Sequence, residues 1–167
     1  MKRIGVTGHR DIPEELDAHV RAVVRAEVDA AARRAARGPG GPLEALSSLA
    51  AGADQIFAGI ALDCGAELTV VIPSGDYEDG FTDPDELARY HCLRKRATRE
   101  VRMDFARSTD EAYYAAGTYI ADQCDRLIAV WDGRPARGLG GTGDIVRYAR
   151  ARGKPVTVVW RTGVQRA

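Results

Sequence analysis

The sequence is poor in cysteine, carries no net charge and has no long apolar run, and each shortage removes a class of protein. The three cysteines, Cys64, Cys92 and Cys124, are odd in number and widely spaced. They form neither a CxxC pair nor a Cys/His ligand pattern, so no disulfide framework and no metal site is expected. Buried or semi-buried reduced thiols in a cytoplasmic protein are expected instead. The 24 basic residues match 24 acidic ones, which leaves no basic footprint for nucleic acid or an anionic membrane. No apolar stretch approaches the roughly 20 residues of a membrane span. The apolar stretch after "MKR" is too short for a signal peptide and reads as a first strand. The 167 residues suffice for one domain with a sizeable core.

What is present is a regular alternation. "RIGVT" (Arg3 to Thr7) ends in Gly8 and predicts a buried strand. "DIPEE" has capping-box spacing between Asp11 and Glu14, with Pro13 in the first turn. Leu16, Val20, Val23, Val24 and Val28 then keep helical spacing, and "GPGGP" ends the helix. A second strand is expected over Leu43 to Leu49, and a second helix carries Ile56, Phe57 and Ile60 on one face. "ELTVVI" (Glu67 to Ile72) is β-branched and stops at Pro73.

The acidic stretch Pro73 to Asp83 reads as a solvated connection. "DPDE" opens a third helix, within which His91 reads as structural, and the alternation Val101, Met103, Phe105 predicts a fourth strand. "STDE" (Ser108 to Glu111) has capping-box spacing and starts a helix reaching about Cys124. "RLIAVW" (Arg126 to Trp131) is a strand. A glycine loop, a helix from about Thr142 to Arg152 and a strand "PVTVVW" follow, with 161–167 expected to fray. Strands alternating with helices predict a single Rossmann-like three-layer α/β/α domain with a mainly parallel sheet.

In such sheets ligands bind outside the carboxyl ends of the strands. Four loops fall there, and "GLGGTGD" (Gly138 to Asp144) is the most informative. Its glycines permit close approach of a ligand, and the helix behind it offers unpaired N–H groups and a positive dipole end, which suits phosphate. No GxxxxGK[ST] is present, and no GxGxxG follows the first strand, so neither a P-loop ATPase nor an ordinary dinucleotide dehydrogenase is expected. Asp144 suits a ribose hydroxyl or an activated water. Arg134 and Arg137 serve equally as phosphate neutralisers or solvated loop charges. His9 and Arg10 stand just past the first strand, where a histidine can bind phosphate or move a proton and an arginine can fork onto phosphate. Gly52, Ser47 or Ser48, and Asp54 stand near the second helix start.

Four motifs stand in order: "GVTGHRD", "SSLAAGADQIFAGIAL", "LTVVIPSGDYEDGF" and "CDRLIAVWDG…GGTGDIVRYARARGKPV". As a set they resemble the SLOG superfamily of Rossmann-like nucleotide-binding proteins. That superfamily includes the LOG enzymes (long labelled lysine decarboxylases), the molybdenum-cofactor carriers and the Smf-type DNA-processing proteins. The resemblance implies a nucleotide-type ligand, with no other cofactor, held by Gly8, His9, Arg10, Gly52, Asp54, Gly140, Gly141, Thr142, Gly143 and Asp144. LOG enzymes cleave the N-glycosidic bond of nucleoside monophosphates with a "PGGxGTxxE" pattern and an arginine-lysine pair on the preceding helix. Here Asp144 stands for the threonine, Val146 is read at the glutamate's place, and "EAYYAAGTYIADQCD" has no arginine or lysine.

The resulting expectation is a nucleotide-binding sensor or carrier. The alternative is an N-glycosidase in which Asp144 is the carboxylate and His9 assists the leaving group. Nucleic acid and membrane are not expected partners. A homodimer is a possible assembly, with Tyr90, Tyr113, Tyr114 and Tyr119 available for a sticky face or for the core.

Overall fold

The computed structural model describes residues 2–136 and 138–164. Strand β1 (Arg3–Gly8) leads to helix α1 (Glu14–Arg37), then β2 (Glu44–Ser47), α2 (Ala53–Asp63) and β3 (Glu67–Ile72). A 3₁₀ turn (Tyr77–Gly80), α3 (Pro84–Lys95), β4 (Arg99–Arg102), α4 (Asp110–Gln123), β5 (Arg126–Val130), α5 (Thr142–Ala151) and β6 (Val156–Val159) complete the order. All six strands pair in parallel, in the order β4-β3-β2-β1-β5-β6. Each strand therefore needs a crossover, and the helices that supply these cover both faces of the sheet. Ile4, Val6, Ala45 and Ile128 pack under α1 and α2. Leu46, Val71 and Leu127 pack under α4 and α5. The result is the three-layer Rossmann-like arrangement expected from the alternation.

Local details depart from the sequence reading. No capping box opens α1: Pro13 takes the N-cap position, and its ring has no oxygen to accept a first-turn N–H. At α4 the cap is Thr109, whose hydroxyl accepts from Ala112 N at 3.2 Å. Ser108 instead joins Ser74 and the Asp76 carboxylate, tying the loop after β3 to the loop before α4. The second strand stops at Ser47, because the chain turns at Leu49, which holds a left-handed φ of 58°. The fourth stops at Arg102 and does not reach Phe105. Past Arg102 the chain turns on itself, with Phe105 N donating to Met103 O at 3.0 Å.

The acidic stretch is not wholly solvated, since Ser74 and Tyr77 are buried in it. Cys124 is buried and Cys64 half-buried, but Cys92 is exposed, and all three are free thiols. His91 lies exposed on α3 beside Glu78. The tyrosines do not form one sticky face. Tyr90 is core, Tyr114 and Tyr119 pack against the α4/α5 cluster, and Tyr113 points into a cavity. Among the described residues no helix is long and apolar enough to cross a membrane.

Candidate functional site

The strand order reverses at β1, with β2, β3 and β4 on one side and β5 and β6 on the other. In parallel α/β sheets a crevice opens at that switch, beyond the carboxyl ends of the two diverging strands. A cavity of about 330 Å³ lies there, walled by the ends of β1 and β2, by α4 and by the start of α5. That volume is within the range of small-molecule sites.

The loop after β1 supplies His9 and Arg10. His9 is only 6% exposed. Its N–H donates to Val130 O at 3.1 Å, and its carbonyl accepts from Ala53 N at 3.2 Å, joining β5 and α2. Its ring is held on three sides. Nε2 accepts from the Asp132 amide at 3.1 Å and lies 3.3 Å from Asp132 Oδ1. Nδ1 is 3.4 Å from Thr142 Oγ1. Trp160 meets the ring edge-on at 5.4 Å. The Asp132 amide and carboxylate both meet Nε2 and Thr142 meets Nδ1, so both ring nitrogens are engaged.

Arg10, Tyr113, Asp54 and Tyr77 form the polar wall opposite α5. The Arg10 guanidinium lies 5.2 Å from the Tyr113 ring centre. Burial works against its charge, but a hydrogen bond to Tyr113 and the fields of Tyr77, Tyr113 and Asp54 outweigh it and raise its pKa. Asp54, in the first turn of α2, is 9% exposed. Burial pushes its carboxyl up to about 7, against the Ala50 amide and the Arg10 charge, which both favour ionisation. The Asp54 Oδ2 atom accepts from Ala50 N at 3.3 Å. Burial also holds the Tyr77 phenol neutral, well above its usual range, with the Asp54 charge adding to the effect.

Helix α4 contributes Asp110, Tyr113, Ala116, Gly117 and Ile120 to the cavity, and no cation. The loop of Gly138 to Gly141 lies directly on its first turn. Gly140 has a φ of +87°, and a Cβ there would stand 2.8 Å from Asp110 O and 2.7 Å from Tyr114 N. Helix α5 starts with Gly141 at its N-cap and no side-chain cap. The first-turn amides of Thr142 and Gly143 have no acceptor within the helix, and they carry its positive dipole end.

Gly8, His9, Arg10, Asp54, Gly140, Gly141 and Thr142 thus line one cavity, together with Ser48. Gly52, Gly143 and Asp144 do not line it. Gly52 has a φ of +79° and lets the start of α2 touch the His9 and Arg10 carbonyls. Gly143 faces the 134–136 backbone. The Asp144 carboxylate turns back to accept from Gly140 N at 3.3 Å, bracing the glycine turn. Ser47 is buried beneath the site, bonded to Asp54 O and Leu49 N. Arg134 is exposed and outside the cavity, and Arg137 lies outside the described residues.

The LOG pattern also needs correcting in its count. With its glycines on Gly140, Gly141 and Gly143, the glutamate falls at Arg147, which is exposed, and not at the buried Val146. Neither position carries a carboxylate. Tyr77, Asp110, Tyr113 and Asp132 are site residues that the sequence motifs did not single out. Only the packing of distant segments brings them to the crevice.

No family model matches the chain, and no curated protein matches it by sequence. Among solved structures, DNA processing protein A (DprA) from Streptococcus pneumoniae aligns with a TM-score of 0.67 at 17% identity, over 99% of this chain and 52% of DprA. The structural genomics target TM1055 aligns with a TM-score of 0.56 at 14% identity, over 93% of this chain and 72% of that one. The chain spans about half the length of DprA. At these identities the likeness shows the fold alone, a Rossmann-like α/β one.

Proposed function

We propose that this chain binds a nucleotide or nucleotide-derived ligand and acts as a sensor or carrier. The observation that carries the reading is the meeting of the uncapped α5 start, the buried Thr142 hydroxyl and Arg10 in one cavity at the switch point. The helix start offers N–H donors and a positive dipole end to a phosphate. Arg10 adds a full positive charge and a planar fork of donors. The order of the sequence motifs and the Rossmann-like fold support the same reading.

Cleavage of an N-glycosidic bond is the weaker alternative. Asp144 is bonded back to Gly140, the glutamate's position in the pattern holds Arg147, and α4 brings no arginine or lysine to the cavity. DprA is named for DNA processing, but the balanced charge of this chain does not favour a nucleic-acid role.

The test is calorimetric titration with AMP, ADP-ribose, NAD and a molybdopterin-type compound. Saturable binding of at least one is expected. Absence of binding by folded protein at millimolar ligand overturns the reading.

A further inference from the structure

The binding reading leaves one buried group of the cavity without a role. Asp54 is nine-tenths buried, and only its Oδ2 is occupied, by the Ala50 amide. Among the described residues Oδ1 has no hydrogen-bond partner, and Arg10 acts on the carboxyl through space without closing an ion pair. Asp54 lines the cavity, so this open Oδ1 is placed to meet a bound donor.

The cavity therefore has two poles. At the α5 start, Gly141 and Thr142 line the cavity, and the helix's positive dipole end suits a group that only accepts hydrogen bonds, such as phosphate. At the α2 start, Asp54 repels such a group and suits one that donates. A ligand that satisfies both ends is a phosphate ester bearing hydroxyls.

We propose that Asp54 is a specificity-determining residue, whose Oδ1 hydrogen-bonds a sugar hydroxyl of a ligand that rests its phosphate on Gly141 and Thr142. The inference depends on the phosphate reading above and adds to it the sugar-recognising group. Burial, which pushes the Asp54 carboxyl up to about 7, supports it, because a carboxyl held there in both forms can accept from a hydroxyl or donate to one.

The test uses inorganic phosphate and ribose 5-phosphate as probes, titrated into the wild type, Asp54→Ala and Asp54→Asn. The wild type is expected to bind ribose 5-phosphate about 10- to 100-fold more tightly than inorganic phosphate. Asp54→Ala removes most of that preference and leaves affinity for inorganic phosphate within about twofold. Asp54→Asn keeps an oxygen for the Ala50 amide. It therefore reads the preference in a folded protein if the alanine variant fails to fold, and the preference is expected to fall in it too. A preference unchanged in both variants, or an equal loss for both probes, overturns the proposal and makes Asp54 a structural residue. If the wild type binds neither these probes nor any nucleotide, the phosphate reading itself falls and takes this inference with it.

Discussion

The amide of Asp132 donates to Nε2 of His9 at 3.1 Å, so the loop after β5 is fastened to the loop after β1 across the mouth of the crevice. The two residues lie 123 positions apart in the chain. The same ring reaches Thr142 at the start of α5, so the shape of the phosphate-facing wall depends on a histidine that the chain holds by both nitrogens.

Removing that ring is expected to loosen the crevice. His9→Ala deletes the contacts to Asp132, Thr142 and Trp160. The expected loss is roughly 2 to 3 kcal/mol, read from the urea midpoint. Unchanged stability would show that the ring is not a structural tie.

Two glycines bound to one helix are expected to respond in opposite directions. At Gly52 a Cβ would overlap the Arg10 carbonyl and stand 2.6 Å from His9 O, on a backbone with positive φ. Gly52→Ala is expected to cost on the order of 3 kcal/mol or more. Gly59, inside α2, has nothing within 4 Å of its would-be Cβ. Gly59→Ala is expected to add about 0.5 to 1 kcal/mol through helix propensity. Thermal melts of the two variants decide the matter.

Asp54 gives stability a pH dependence of definite sign. Its folded carboxyl sits at about 7, against about 3.9 in an unfolded chain. Below about pH 4 the group is protonated in both states and costs nothing. As pH rises from about 4 to about 7 the folded state binds more protons than the unfolded one, so stability falls, and above that it levels off. The full difference is on the order of 4 kcal/mol at most. Subtracting the pH profile of Asp54→Asn from that of the wild type isolates this group. Arg10→Ala, which removes the charge that favours ionisation, is expected to move the step to higher pH.

Thr142→Val tests the phosphate wall. The side chain keeps its volume and loses its hydroxyl, whose contact with His9 is long at 3.4 Å. Affinity for AMP is expected to fall about 10-fold while the melting temperature changes little. Equal affinity for the two proteins would move the phosphate away from the α5 start.

A binding protein and a glycosidase differ in what becomes of AMP. Prolonged incubation is expected to release no adenine by chromatography. If adenine appears and persists in Asp144→Asn, hydrolysis is real and its carboxylate lies elsewhere in the cavity, at Asp54 or Asp110.

The strands that were easy to read are the interior ones. "RLIAV" is buried along nearly its whole length, so its apolar run is visible without any neighbour. Strand β4, "REVR", lies at the sheet edge and is mostly exposed, so its composition is that of a loop. Its end is set by a turn in which Phe105 N donates to Met103 O, which the alternation of Val101, Met103 and Phe105 does not show. The capping signals failed for a similar reason. Ser108 had a better use in the Asp76 network, and Thr109 took the cap.

The glycine loop was legible as a helix start, but the use of each glycine was not. Gly140 answers to the first turn of α4, and Gly143 to the 134–136 segment. Asp144 and Asp54 are alike in sequence, each a first-turn acid shortly after a glycine. One folds back on its own loop, and the other is buried in a shared wall.

By itself, then, the sequence determined the alternation of strands and helices, and with it the sheet edge at which ligand-facing loops gather. Apolar periodicity and glycine breaks are local, and a parallel sheet follows from their order. Only the tertiary structure decided which carboxylate faces the cavity and what holds the His9 ring. Burial and hydrogen-bond partners come from segments far apart in the chain, and these set the charge a side chain carries and the group it can receive.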